Sequence, residues 1–129
     1  MEKKEDVKEF EKLEQQLHSF LAEISELSHK KPNDALNKFK LQFINAVLEG
    51  LNALLGDHRP FPDFKKFDAD DLPTNSDVVV ILSQYAAGTY NFRREHTTEV
   101  SYNKWCWTVR GKASDLRTKS PEHSKYHSK

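Results

Sequence analysis

Residues 5–29 read EDVKEFEKLEQQLHSFLAEISELSH, with Phe10, Leu13, Leu17, Phe20, Ile24 and Leu27 at successive spacings of 3, 4, 3, 4 and 3. That is the seam of an amphipathic helix at heptad period, since positions three and four apart fall on one side of a 3.6-residue turn. The seam lasts about two and a half heptads, less than a free-standing coiled coil needs, and Leu21 widens it into the face of a bundle helix. It therefore predicts an internal bundle face, with a homodimer through Phe10, Leu13, Leu17, Phe20, Ile24 and Leu27 as the competing use of the same stripe.

Lys30, Lys31 and Pro32 close that helix, the two lysines suiting the negative end of its dipole, and Asn33 is placed to cap the next. Residues 34–55 then carry two apolar stripes, Leu36, Phe39, Phe43 and Val47 on one and Leu41, Ile44, Leu48, Leu51 and Leu55 on the other. A helix that is apolar on two sides needs cover on both, so this second helix is expected at the centre of the fold. Gly50 inside it suggests close approach of a neighbouring backbone, and Gly56 ends it. The connection DHRPFPDFKKFDADDLP at 57–73 holds three prolines and Phe61, Phe64 and Phe67, a pattern for a loop packed down as a lid. Thr74 with Asp77 three residues on marks the start of a third helix, which extends to about residue 96 through Val78–Leu82, Tyr85 and Phe92.

Past Thr97 the period changes. Trp105, Trp107 and Val109 alternate with Cys106 and Thr108 before a turn at Arg110-Gly111, which suits a short β-hairpin. Tyr102, Trp105, Val109 and Leu116 would equally share one helix face, so residues 98–117 stay open between the two forms. Residues 118–129, TKSPEHSKYHSK, read as a polar, flexible tail. The expected protein is mainly α, a bundle of three or four helices over residues 1–117 with that tail behind it.

Composition excludes more than it identifies. The 129 residues carry 20 basic and 20 acidic side chains, and 14 aromatics are too many for a disordered chain. No apolar run approaches a membrane span and the charged start is unlike a secretion signal, so a soluble, cytoplasmic protein without membrane contact is expected. Cys106 stands alone, which excludes an intrachain disulfide and a thiolate zinc site.

Chemistry-bearing motifs are sparse. Asp63, Asp68, Asp70 and Asp71 lack the spacing of a calcium loop, and His123 with His127 lacks the general-base Glu and helical context of a zinc pair. His96 is expected to be an exposed histidine beside Glu95. Cys106 between two tryptophans suits a buried, inert thiol, and glycines at 50, 56, 88 and 111 form no phosphate-cradling loop. No metal, cofactor or catalytic activity is expected on these grounds.

What remains is charge. Residues 93–129 hold nine basic and four acidic side chains, a net of +5 in a chain that is neutral overall. Arg93, Arg94, Lys104, Trp105, Trp107, Arg110, Lys112 and Arg117 form the candidate binding set, because tryptophan and arginine are the residues of protein hot spots and because cations with aromatics also hold unpaired nucleic-acid strands. The expectation is a non-catalytic protein-binding or regulatory subunit, with an RNA- or DNA-binding accessory protein as the alternative. Both depend on whether Trp105 and Trp107 lie in the core or at the surface.

Overall fold

A computed structural model describes residues 1–121. Three helices, α1 (Lys4–Lys30), α2 (Lys38–Leu55) and α3 (Asn75–Glu95), precede three strands, β1 (Thr97–Ser101), β2 (Lys104–Val109) and β3 (Lys112–Thr118). The strands form an antiparallel meander in the order β1-β2-β3. The chain is mainly α, as the periodicities required, but it is a three-helix layer closed by a small sheet rather than a bundle alone.

α1 begins where the Asp6 carboxylate accepts the Lys3 N–H at 3.2 Å, a reciprocal cap that satisfies donors the first turn leaves open. Phe10, Leu13, Leu17 and Ile24 of its seam are buried, and Leu21 joins them, so most of the stripe packs inside this chain. Phe20 and Leu27 alone of the six remain half-exposed. α1, not α2, is the central helix: it packs against both α3 and α2, which meet each other only sparingly. Ile44 and Leu48 are nevertheless fully buried, together with Leu41, Leu51 and Leu55.

α2 starts four residues later than Asn33 predicted, with Asn37 as the cap accepting the Lys40 N–H at 3.2 Å. The reason is tertiary. Residues 32–36 run against the entry to α3, where Leu36 N–H reaches the Pro73 carbonyl (2.8 Å), Asn75 N–H the Asp34 carbonyl (2.9 Å), and Asn75 Nδ2 the Lys31 carbonyl (2.9 Å). Backbone groups paired in this way are not free to wind into a helix.

The 57–73 connection packs down as the three phenylalanines implied, though Phe61 stays largely exposed while Phe64 and Phe67 lie against the core. Asn45 clasps it, giving Nδ2 to the Phe67 carbonyl and accepting the Phe67 N–H, both at 2.9 Å. Asn52 donates to the Lys65 carbonyl at 3.0 Å and accepts the Tyr85 hydroxyl at 2.7 Å. The neighbour that Gly50 admits is the Leu13 side chain rather than a backbone, since a Cβ there would stand 2.8 Å from Leu13 Cδ1. Gly88 is more constrained, because its Cβ would fall 2.6 Å from the His58 carbonyl oxygen.

After α3 the chain makes three strands where the alternation of 105–109 implied two. β1 lacked a signal because Thr97–Ser101 presents one apolar residue, Val100, and that residue is exposed. The Arg110-Gly111 turn forms as expected, with both residues at positive φ (54° and 76°). Between Cys106 and Thr108 the β2–β3 register slips, and the Ser114 hydroxyl fills the gap by donating to the Trp107 carbonyl at 2.7 Å. The residues expected to open a flexible tail continue the fold instead: Thr118 ends β3, and Ser120 and Pro121 are buried. The rest of the tail, with His123 and His127, lies outside the described residues. No helix among the described residues is long and apolar enough to cross a membrane.

Leu48→Ala should cost about 2–5 kcal/mol in urea denaturation, the range for emptying a filled core site. Gly88→Ala should also destabilise, by about 1–3 kcal/mol, because the clash with a backbone carbonyl outweighs the helix propensity gained.

Candidate functional site

The eight residues of the cationic, aromatic set divide between interior and surface. Arg93 is 2% exposed and Trp107 is fully buried, so neither can serve as a surface contact in this structure. Their burial has a clear cause. Arg93 faces inward from α3 and meets Glu14 of α1 through a two-pronged ion pair, Nη2 to Oε1 at 2.6 Å and Nε to Oε2 at 3.3 Å. Its Nη1 donates to the Thr118 hydroxyl on β3, and the guanidinium carbon lies 4.8 Å from the centre of the Trp107 ring. Trp107 Nε1 donates to Glu11 at 3.3 Å, while its ring meets Phe10 edge-on at 5.4 Å, and Phe10 in turn stacks on Phe92 at 4.7 Å.

The other six are not gathered into one patch. Lys104 and Arg110 stand at opposite ends of β2, which at about 3.3 Å per residue separates their backbones by roughly 20 Å. Arg110 is occupied with the chain start, its N–H on the Met1 carbonyl (2.8 Å) and its Nε on the Glu2 carbonyl (3.3 Å). Arg94 lies over the Tyr90 ring at 5.8 Å, Arg117 pairs across the ladder with Cys106, and Lys112 is exposed beyond the turn. Asp115, exposed on the same strand as Lys112 and Arg117, is held below the usual carboxylate range by the Lys4 ammonium 2.8 Å away. Trp105 is half-buried. Acidic neighbours and distance break up the field that an extended phosphate backbone would require.

A second polar group sits where α3 ends. His58 hydrogen-bonds the Glu95 carboxylate, whose other oxygen is 4.0 Å from His96 Nε2, and the Met1 amine lies 3.3 Å from His96 Nδ1. His96 is half-buried against Phe92 rather than exposed, and that burial, with the nearby amine, pushes its pKa below the ordinary 6.5. Glu95 is held below its ordinary value first by the hydrogen bond from His58. Among the described residues no group of three or more His, Cys, Asp or Glu is arranged to hold a metal ion. In the acidic loop Asp68 instead accepts the Asp70 N–H at 2.8 Å, an ordinary turn.

The surface feature that sequence reasoning placed in the core is on α2. Phe39 is 67% and Phe43 47% exposed, their rings edge-to-face at 5.1 Å. Phe43 lines a groove of about 310 Å³ between α1 and α2, together with Leu13, Gln16, Phe20, Ala46 and Val47, with Glu9 and Lys12 also on its wall. The Lys40–Glu23 pair at 2.9 Å and the approach of Leu13 to Gly50 show that the two helices run antiparallel along it. A signal was available: a helix with two apolar stripes needs cover along the whole of both, and α1 with the packed-down loop leaves Phe39 and Phe43 open.

Arg93→Met should cost about 3–5 kcal/mol by leaving Glu14 buried without its partner, and adding Glu14→Leu should recover part of that loss, as a double-mutant cycle in urea would record. A histidine whose folded pKa is depressed contributes stability that is present above its unfolded value and lost progressively as pH falls from that value through the folded one. Melting temperature should therefore drop between pH 7.5 and 5.5, and drop less in His96→Gln. Comparison of the chain with protein-family models, curated proteins and solved structures found no match.

Proposed function

We propose that this chain is a non-catalytic protein-binding module whose docking surface is the aromatic ridge and groove of α1 and α2. The observation that carries the reading is the exposed Phe39–Phe43 pair beside an open apolar groove. Two neighbouring phenylalanines at 67% and 47% exposure forgo roughly half or more of the about 1.5–3 kcal/mol that complete burial of each would give, and contiguous apolar patches on small proteins mark interaction sites. The ridge spaces its rings one helical turn apart, and the groove beside it runs between two helices. That shape suits an amphipathic helix of a partner protein, which would lay apolar residues at i and i+4 into the groove. The groove carries Glu9 and Lys12, and Glu23 pairs with Lys40 near the ridge, so both signs of charge are available to set the orientation of a partner without strong dependence on salt.

Phe39→Ser with Phe43→Ser should leave the melting temperature within a few degrees of wild type, because neither ring is in the core. The same change should abolish capture of partner proteins in a nuclease-treated pull-down, equivalent to at least about 2 kcal/mol of binding. Fluorescence anisotropy with labelled single-stranded RNA and DNA runs alongside. Tight, salt-sensitive nucleic-acid binding unaffected by the double substitution would overturn the reading, as would a partner captured equally by both proteins.

A further inference from the structure

A separate cleft of about 420 Å³ lies between the C-terminal half of α2 and the packed-down loop, lined by Glu49, Asn52, Ala53, Arg59, Lys65 and Lys66. It brings three cations together with one carboxylate, in a chain that is neutral overall. That carboxylate is already engaged, since Glu49 Oε1 is 3.5 Å from Lys66 Nζ. Arg59 is not. Its Nη2 donates to the Phe64 carbonyl at 3.0 Å, which fixes the plane of the guanidinium, while its Nε is shut off from solvent without any hydrogen-bond acceptor. Among the described residues no carboxylate lies within ion-pairing distance of Arg59 or Lys65.

The frame around these cations is rigid. Asn52 ties α2 to the loop at the Lys65 carbonyl and is itself held by the Tyr85 hydroxyl, and the two Asn45–Phe67 bonds close the loop one residue beyond Lys66. The buried Nε is out of a ligand's reach, so what the cleft offers is the rest of a planar guanidinium, fixed by its bond to Phe64 and flanked by lysine point charges, the donor set that phosphate oxygens take up. We propose that this cleft binds the phosphate group of a small phosphorylated ligand, with Arg59 as the oriented donor and Lys65 and Lys66 completing the charge. The site is independent of the aromatic groove.

Nuclear magnetic resonance titration of the full chain with inorganic phosphate, inorganic pyrophosphate and phosphoserine tests this, with acetate and chloride as the controls for carboxylate and for ionic strength. Saturable shifts confined to residues 49–66 are expected from at least one of the phosphate probes, and comparison of the three separates free phosphate, diphosphate and a phosphate ester. Arg59→Gln and Lys65→Gln should each weaken binding at least tenfold, and Arg117→Gln should leave it unchanged. Lys65→Gln guards against loss of the Arg59–Phe64 bond loosening the loop, because the Lys65 side chain is exposed. Shifts that fail to saturate, that acetate reproduces, or that Lys65→Gln leaves intact would overturn the proposal.

Discussion

The Glu14–Arg93 ion pair is the contact on which the arrangement of the molecule depends. It is buried at the meeting point of α1, α3 and the sheet, and each oxygen of the carboxylate faces a nitrogen of the guanidinium. A buried pair of this kind gains little over an apolar replacement but is heavily penalised when one partner is removed, so its effect is to specify one register of α1 against α3. Trp107 lies over the same guanidinium and Thr118 accepts from it, which pins β2 and β3 to the helices. A three-stranded meander of this size would be marginal alone. Here its central strand is anchored through one indole ring to two helices at once, by Phe10 and by Arg93.

From that contact the layering follows. α1 packs along both α3 and α2, which meet each other only at points such as the Tyr85–Asn52 bond, and α2 is left with a flank that no element of the described chain covers. The 57–73 loop occupies a further side of α2, held to it through three asparagine-mediated bonds to backbone and braced internally by the Arg59 bond to the Phe64 carbonyl. Each candidate surface is thus a consequence of the packing. The aromatic ridge is the part of α2 that the loop and α1 leave open, and the cationic cleft is the seam along which the loop was laid down.

The candidate site was less legible than the fold, for reasons visible at individual residues. Phe39 and Phe43 match the spacing of a core stripe, and spacing alone cannot say whether a neighbouring layer exists to bury it. Arg93 was counted among surface cations because arginine is mostly exposed, and only Glu14, 79 positions away, turns it inward. Trp105 and Trp107 share one face of β2, yet the first is half-exposed and the second fully buried, with Phe10, Glu11 and Arg93 of the helices meeting the second. The cationic segment at 93–117 had a charge excess in composition that the structure distributes over both ends of a strand and a turn.

By itself the sequence determined the local elements: the α1 seam, the second stripe of α2, the Thr74 cap of α3, the turn at Arg110-Gly111 and the change of period after Thr97. These depend on periodicity and on capping and turn chemistry within a few residues, where sequence distance and spatial distance coincide. Tertiary structure alone decided which helix is central, where α2 begins, that Thr97–Ser101 forms a strand, and which aromatics and cations face water. Most of those outcomes rest on distant partners, such as Asn45 with Phe67 and Glu11 with Trp107, 22 and 96 residues apart, and no local pattern encodes which distant side chain will complete a pair; the strand at Thr97–Ser101 pairs with nearby β2 but carries no apolar alternation of its own.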